Sequence, residues 1–346
     1  MEKDTLFGKT LKELQEICVR LGLPTFSAKQ IAEWLYQKDI QDIDGMSNIS
    51  LKNRQLLKDS FDFGISLTSK VQESVDGTKK YLYPTKSEKF IEAAYIPENE
   101  RATLCVSSQI GCKMGCLFCM TGKQGFQGNL TAGEILNQVR SLPEREKLTN
   151  IVYMGMGEPL DNTDEVLKSL EIFTAEWGFA MSPKRITVST IGIIPSLEKF
   201  LDQSDCHLAI SLHTPFDDER KMLMPVQNIY PIAEVIAFVK NFDWTKQRRI
   251  SIEYIMFKGL NDSPRHVNQL ARLLNGLNCR INLIRFHPIP GTPLESTEIE
   301  DITIFRDKLN AKGITATIRR SRGEDIYAAC GLLSTKELMK KDKPDY

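Results

Sequence analysis

Apolar side chains recur at helical spacing near the start of the chain. Residues 10–22 read TLKELQEICVRLG, in which apolar residues return every three or four positions and a glycine ends the segment. Residues 27–37 repeat this pattern. The following segments alternate apolar and polar side chains on either side of Asp76 and Gly77, a pair typical of tight hairpin turns. The first hundred residues therefore predict a small helical module followed by β-hairpins.

The pattern changes near residue 100, where short β-rich runs begin to alternate with helical stretches. This alternation predicts a parallel sheet with right-handed crossovers, and chemistry in such folds collects at the carboxyl ends of the strands. We predict strands at residues 103–109, 149–155, 185–190, 207–212, 248–257, 281–286 and 314–319. We predict helices after residue 130 and near residues 162–176, 193–203, 231–242, 263–275 and 298–312.

These elements predict an α/β protein with a partial (βα)6-type, TIM-like barrel. The T-x-x-E sequence at Thr131 and Glu134 predicts a capping box at the start of the first barrel helix. A small helical accessory domain and a β-hairpin extension precede the barrel. The expected segments are 1–62 for the accessory domain, 63–97 for the extension, 98–333 for the barrel and 334–346 for a charged tail.

Composition places the chain among globular proteins and leaves its partners open. Apolar residues make up 41% and charged residues 26% of the 346 positions. Lysine plus arginine and aspartate plus glutamate each number 45, so net charge neither favours nor excludes nucleic acid. The polar start MEKDTLFGKT lacks a secretory apolar region, and no apolar run approaches the length of a membrane span. We expect a cytoplasmic protein without membrane contact.

Three of the eight cysteines lie close together directly after the first predicted barrel strand. The segment GCKMGCLFC spaces Cys112, Cys116 and Cys119 as C-x3-C-x2-C. A structural zinc ion needs four ligands, and Cys105 could complete that set, although it lies inside the predicted strand. A disulfide would leave one cysteine over and fits the cytosol poorly. A [4Fe–4S] cluster held by three thiolates, with one iron open to a further ligand, fits the spacing best.

This motif, with Phe118 before its last cysteine and a βα barrel around it, resembles the radical S-adenosylmethionine (SAM) superfamily. The resemblance implies that the open iron chelates the amino and carboxylate groups of SAM. The cluster then donates one electron to the sulfonium, which breaks to give methionine and a 5′-deoxyadenosyl radical. The segment MGMGEP at the end of the second strand resembles the SAM-binding turn of the superfamily, and polar residues close the third and fourth strands.

Further segments resemble one family within this superfamily. RATLCVSSQIGC, MGMGEP, TVSTIGIIP, AISLH, INLIRFHP and RGEDIYAACG are similar to the dual-specificity rRNA/tRNA adenine-C2 methyltransferases of the RlmN family. The resemblance implies two SAM molecules per turnover: the first methylates Cys330, and the radical from the second takes a hydrogen from that methyl group. The methylene radical adds to adenine C2, and Glu92 accepts the C2 proton. Cys105 then attacks the sulfur of Cys330, which releases the RNA and leaves a transient disulfide.

The resemblance also implies the residues that contact SAM. One of them departs from the family, which often has asparagine where this chain has His287; histidine can still donate or accept a hydrogen bond. The implied SAM contacts are Gly157, Glu158, Ser189, Ser211, Leu212, His213 and His287. Three cysteines have no implied role and are expected to be small buried side chains: Cys18, Cys206 and Cys279.

The partners implied by the resemblance are 23S rRNA, tRNA and a one-electron reductant such as flavodoxin or ferredoxin, with the protein as a monomer. In tRNA the expected target is the adenosine 3′ of the anticodon. Candidates for RNA contact are Arg319, Arg320, Arg322, Lys184, Arg185, Arg248 and Arg249, although charge runs are usually solvated surface.

Two alternatives stay open at this stage. One is C8 methylation of adenosine by the related Cfr-type resistance enzymes, which MGMGEP and PIPGTP disfavour. The other is an RNA-binding protein with a structural zinc site and no catalysis.

Overall fold

A computed structural model of the chain describes residues 3–244 and 250–335, and a helical module occupies its beginning. Helices α1 (Leu11–Arg20) and α2 (Ser27–Tyr36) pack on each other, and strands β1 (Asp4–Thr5) and β2 (Phe61–Asp62) pair in parallel. Helix α3 (Leu51–Ser60) precedes β2 and was not predicted from the sequence. Leu57 is the one buried residue of this helix, so its apolar side chains are too few to show a helical period in the sequence.

A mixed sheet of ten strands forms the centre of the described part of the chain. Its strands are β3 (Lys70–Glu73), β4 (Lys79–Pro84), β5 (Phe90–Pro97), β6 (Ala102–Cys105), β9 (Asn150–Tyr153), β10 (Ile186–Thr190), β11 (His207–Ser211), β12 (Ile250–Met256), β13 (Cys279–Arg285) and β14 (Thr315–Arg319). Two short strands, β7 (Gln109–Ile110) and β8 (Gly128–Asn129), pair with each other outside this sheet. The sheet order is β3-β4-β5-β6-β9-β10-β11-β12-β13-β14. Strands β6, β9, β10, β11, β12, β13 and β14 run parallel, and β3, β4 and β5 join them through antiparallel pairs.

Helices follow the parallel strands in the predicted order. They are α4 (Met120–Gln124), α5 (Ala132–Arg140), α6 (Thr163–Thr174), α7 (Ile194–Gln203), α8 (Asp217–Leu223), α9 (Ile232–Asn241), α10 (Pro264–Leu273) and α11 (Ile299–Ala311). The predicted capping box is present, since the Glu134 N–H donates to Thr131 Oγ1 at 3.2 Å and the Thr131 N–H donates to Glu134 Oε2 at 2.9 Å. The short helices α4 and α8 were not predicted.

One hydrophobic core joins the sheet, its helices and the N-terminal module. Because β3 and β14 are the edges of the sheet, the described strands form an open, partial barrel, as predicted. The module packs on the barrel through Tyr36, whose ring lies 5.9 Å from that of Trp177. An ion pair of 2.6 Å between Lys168 in α6 and Glu13 in α1 adds a polar contact. None of the described helices is long and apolar enough to cross a membrane.

The first barrel strand is shorter than predicted, and this difference shapes the site. It ends at Cys105, and residues 109–110 pair instead with β8. The Gln138 side chain takes the two backbone hydrogen bonds of Ser107 that a neighbouring strand would otherwise form. It accepts from the Ser107 N–H at 2.8 Å and donates to the Ser107 carbonyl at 2.9 Å. The chain therefore leaves the sheet after Val106, whose N–H still donates to the Val152 carbonyl of β9 at 2.9 Å.

Candidate active site

The loop with the three clustered cysteines lies between β7 and α4. Gly111 begins it with a φ of +73°, and a Cβ there would lie 1.7 Å from the Gly125 carbonyl oxygen, so only glycine fits. The Leu117 N–H donates to the Leu223 carbonyl at 2.9 Å, which fixes the loop to α8. The Cys119 N–H donates to the Cys116 carbonyl at 3.2 Å and closes the turn that leads into α4. Backbone bonds therefore set the positions of the thiols.

All three thiols face one cavity and are free. Burial raises the pKa of Cys112 to about 12, and burial also raises that of Cys116. Among the described residues, no three His, Cys, Asp or Glu side chains are close enough together to hold a single metal ion. Three thiols that face the same cavity could hold a [4Fe–4S] cluster and leave one iron open to a further ligand.

The cavity has a volume of about 270 Å³ and is bounded by the carboxyl ends of the parallel strands. This is where the fold class predicts the chemistry. The lining brings together most of the residues implied by the family resemblance: Cys105, Cys112, Cys116, Cys119, Gly157, Glu158, Ser189, Ser211, His213, His287 and Cys330. Eleven of the residues that line this cavity were therefore named from the sequence.

Glu158 is a buried carboxylate at the end of the second strand. Its Oε1 accepts from the Leu160 N–H at 3.0 Å and from Thr190 Oγ1 at 2.6 Å, and its Oε2 accepts from the Ile191 N–H at 3.1 Å. Burial raises the pKa of Glu158 to about 7, against the opposing effect of these hydrogen bonds. The carboxylate is thus oriented by fixed donors and faces the cavity.

His213 lies directly after β11 in a left-handed backbone conformation, with φ of +59°. Its Nδ1 accepts from the Ile255 N–H at 3.0 Å, and burial lowers its pKa to about 3. The ring is therefore neutral at physiological pH. Phe118 packs edge-on against it, with ring centroids 4.9 Å apart, and so connects the cysteine loop to the end of the fourth barrel strand.

Cys105 and Cys330 approach the same cavity from different elements. Cys105 ends β6, and Cys330 lies in the segment that follows β14. Burial raises the pKa of Cys105 to about 12, a nearby Cys330 thiolate raises it further, and the Arg319 guanidinium opposes both. Arg319, a predicted RNA contact, lies on the cavity wall, where its Nη1 is 3.2 Å from Met154 Sδ.

Two of the implied site residues lie outside the cavity wall. The Leu212 side chain is fully buried in the main hydrophobic core. Glu92 is also fully buried rather than solvated: its Oε1 lies 3.2 Å from Lys80 Nζ, and its Oε2 accepts from the Ser334 N–H at 2.9 Å. The Glu92 carboxylate therefore contacts the segment that contains Cys330 and does not line the cavity.

His287 faces the cavity but is also bonded to the segment after β14. Its Nε2 lies 3.0 Å from Ser321 Oγ, and its Nδ1 lies 3.6 Å from Glu324 Oε2. Burial lowers the pKa of His287. This histidine therefore links β13 to the Cys330 segment on one side of the cavity.

The β3–β4 hairpin holds the same segment, a contact that the sequence did not indicate. Asp76 Oδ2 accepts from the Gly323 N–H at 3.0 Å, and Asp325 Oδ1 accepts from Ser74 Oγ at 2.5 Å. Burial raises the pKa of Asp76, but hydrogen bonds from Thr78 and Gly323 outweigh it and lower the pKa to about 2. The hairpin turn thus fixes the start of the Cys330 segment.

Of the other predicted RNA contacts, Arg320 and Arg322 lie at the cavity, and Lys184 and Arg185 are exposed beside β10. Arg248 and Arg249 lie outside the described residues.

The eight cysteines are free thiols, and Cys18, Cys206 and Cys279 are buried as expected. The sequence analysis did not single out Arg220, which is fully buried next to the cysteine loop. The available signal was its spacing, since Arg220 lies three positions before Leu223 and on the same buried face of a short helix.

Comparison with known proteins identifies the family. Residues 5–62 match the model of the ribosomal RNA large subunit methyltransferase N-terminal domain, and residues 106–271 match that of the radical SAM superfamily. The chain is 57% identical to a probable dual-specificity RNA methyltransferase RlmN of Bacteroides fragilis, covering 99% of this chain and 100% of that protein. It is 42% identical to the dual-specificity RNA methyltransferase RlmN of Campylobacter hominis, over 97% of this chain and 98% of that protein.

A solved structure agrees with these relatives. The crystal structure of a radical SAM methyltransferase from Sphaerobacter thermophilus superposes with a TM-score of 0.89 at 39% identity, covering 95% of this chain and 99% of that chain. Membership of the radical SAM superfamily implies a [4Fe–4S] cluster and SAM as cofactors. This chain is an enzyme that belongs to the RlmN family of dual-specificity RNA methyltransferases, within the radical SAM superfamily.

Proposed function

We propose that this protein methylates C2 of adenosine in 23S rRNA and in tRNA, there at the adenosine 3′ of the anticodon, with Cys330 as the methyl carrier. One observation carries the proposal: Cys105 and Cys330 line the same cavity as the three clustered cysteines. The names of the relatives support an RNA substrate. An RNA-binding protein with a structural zinc site would need neither of the two additional thiols at this cavity.

In this proposal Cys112, Cys116 and Cys119 hold a [4Fe–4S] cluster with one open iron. The strand-end residues that line the cavity orient SAM: Gly157, Glu158, Ser189, Ser211, His213 and His287. Leu212 is a further proposed SAM contact. When bound, the cluster and two SAM molecules per turnover supply the methyl group and a radical that removes a hydrogen atom from it. The apolar rings of Phe118 and Phe257, with centroids 5.6 Å apart, belong to the same hydrophobic cluster as Cys116.

Cys105 releases the product. Its thiolate attacks Sγ of Cys330, so that an S–S bond forms and the bond from that sulfur to the methylene carbon breaks. The electron pair stays with the carbon, which takes up a proton, while the C2 proton leaves to a base and the unpaired electron left by the radical addition would return to the oxidised cluster. A dithiol or a small thiol then reduces the disulfide by two electrons and restores both cysteines.

Glu92 is the proposed base. Its Oε2 accepts from the Ser334 N–H at 2.9 Å, which connects the carboxylate to the segment of Cys330, four residues earlier. Lys80 Nζ lies 3.2 Å from Glu92 Oε1 and fixes the position of the carboxylate.

The remaining parts of the proposal concern partners and organisation. Residues 1–62 form an accessory domain that contacts RNA, 63–97 the hairpin extension, 98–333 the catalytic barrel and 334–346 a charged tail. A one-electron carrier such as flavodoxin or ferredoxin reduces the cluster. The protein works in the cytoplasm, where both RNA substrates occur, and as a monomer.

Mass spectrometry of nucleosides from treated RNA tests the proposal. We expect 2-methyladenosine; 8-methyladenosine would assign the chain to the alternative chemistry. Cys105→Ala should accumulate an RNA–protein adduct on Cys330, whereas Cys279→Ala, a matched buried cysteine that does not line the cavity, should turn over. Normal turnover of Cys105→Ala would contradict the resolving role.

A further inference from the structure

Arg220 is a charged residue with no exposed surface, placed in α8 beside the cysteine loop. Its Nη2 donates to the carbonyls of Ile191 at 3.0 Å and Ser211 at 3.1 Å, and its Nε donates to the carbonyl of Leu212 at 3.2 Å. One guanidinium thus bonds the ends of two neighbouring strands, β10 and β11. These are the strand ends that present Ser189, Ser211 and His213 to the cavity.

A side-chain network fixes the orientation of this guanidinium. Its Nη1 donates to Gln227 Oε1 at 2.7 Å, and Gln227 Nε2 donates to Asp217 Oδ1 at 2.7 Å. The Ile232 N–H also donates to Gln227 Oε1, at 3.0 Å. Four of the five guanidinium N–H groups therefore have acceptors, and all of these acceptors are neutral.

The buried positive charge has no carboxylate as a direct partner. Within the two described ranges, no aspartate or glutamate oxygen forms a salt bridge with Arg220. A buried cation without an anion is costly to fold. Leu223, three positions further along α8, accepts the Leu117 N–H at 2.9 Å, which places Arg220 close to Cys116, and a Cys116 thiolate acts on it more strongly than Asp217 does. The fold therefore places a permanent cation against the proposed cluster ligands.

We infer that Arg220 is a positioning residue with two effects: it is the counter-ion that raises the reduction potential of the cluster, and it fixes the strand ends that orient SAM. The inference rests on the proposed cluster at Cys112, Cys116 and Cys119. Thiolates and an electron added on reduction make the site more negative, and a fixed nearby cation favours the added electron. Net charge and surroundings set the potential of such clusters.

The test separates charge from geometry. Wild-type protein, Arg220→Met, Arg220→Lys and Lys221→Met are reconstituted anaerobically with iron and sulfide, and their midpoint potentials are measured by titration followed by electron paramagnetic resonance. Lys221 is the neighbouring exposed cation, so its loss changes formal charge by the same amount. The affinity for SAM is measured on the same samples.

We expect a more negative midpoint potential for Arg220→Met, and wild-type potentials for Arg220→Lys and Lys221→Met. SAM affinity should fall in both Arg220 variants, by about tenfold or more as for other outer-shell partners of metal sites, because lysine cannot bond three carbonyls at once. A wild-type potential in iron-loaded Arg220→Met would overturn the counter-ion role. If that variant holds no iron, Gln227→Leu displaces the guanidinium and is titrated instead, with the same expected direction.

The two levels of failure are distinguishable. Wild-type protein without iron would refute the proposed cluster site itself. Iron-loaded variants with unchanged potential and unchanged SAM affinity would refute only the role of Arg220.

Discussion

Replacement of Arg319 tests how Cys105 becomes a nucleophile in the proposed release step. The guanidinium lies at the end of β14, 3.7 Å from Glu253 Oε2, and its charge acts on both Cys330 and Cys105. Burial raises the pKa of Cys105 to about 12, and Arg319 lowers it. We predict that Arg319→Met slows release of RNA from the covalent intermediate, because the variant lacks the charge that favours the thiolate.

The size of the effect follows from the thiolate population. At pH 8 a thiol with a pKa of about 12 is ionised in about one molecule in 10,000. Loss of a close opposite charge raises such a pKa by about 1–3 units, which lowers the ionised fraction of the thiol by about 10- to 1,000-fold. A more basic thiolate attacks faster, with a Brønsted coefficient of about 0.45, so the net slowing is about 3- to 50-fold.

The assay follows the adduct through a single turnover by quenching and denaturing gel electrophoresis. Since the pKa of Cys105 lies above the accessible range, the release rate should rise about tenfold per pH unit between pH 7 and pH 9 in both proteins. Arg320→Met, which removes an exposed cation at the same cavity, is the control for weakened RNA attraction. Arg319→Met leaves the buried Glu253 carboxylate without its cationic partner. The double variant Arg319→Met/Glu253→Gln removes that charge as well and so controls for its effect. An adduct lifetime equal to wild type in both Arg319 variants would refute the reasoning.

Three further predictions concern the cluster loop and the Cys330 segment. Cys119→Ala removes one proposed cluster ligand, so reconstituted protein should lack the cluster while circular dichroism stays that of the folded chain; a full iron complement would contradict this. Asp76→Asn weakens the bond from the Gly323 N–H, so iodoacetamide should alkylate Cys330 about 2- to 10-fold faster in peptide mass spectrometry, and an unchanged rate would argue against the hairpin contact. Gly111→Ala should lower the free energy of unfolding in urea by more than about 2 kcal/mol, because its Cβ would meet the Gly125 carbonyl. Gly259→Ala, also at positive φ but in open space, should cost clearly less, and equal losses would refute the steric reason.

The sequence was sufficient for those parts of the fold that local rules determine. The capping box at Thr131 and the hairpin turn at Gly77 formed where predicted, because each depends on residues within a few positions of one another. The parallel strands were found because each is a short apolar run between helical patterns. Helix α8 was missed since its seven residues hold two buried side chains, too few to establish a period.

The strand-end residues of the site were predictable for a similar reason. Parallel strands end at one edge of the sheet, so Ser189, Ser211 and His213 were expected to meet, and they line one cavity. The positions of the charged groups were not predictable. Asp76 reaches Gly323 across 247 positions of sequence, and Glu92 contacts Ser334 across 242. No local pattern contains such pairs, since they exist only once the barrel has formed.

Two arginines, Arg220 and Arg319, act on different parts of the site. Arg220 acts on Cys116 and Asp217, whereas Arg319 acts on Cys330, Glu253 and Cys105. They come from separate elements, α8 and β14, and share no hydrogen-bond partner. Variants at sites without shared partners usually combine additively. Arg220→Met should therefore change the cluster potential without changing the rate of adduct release, and Arg319→Met should do the reverse. The double variant should show both effects at their single-variant sizes, and a coupling between the two readouts would mean that one charge serves both steps.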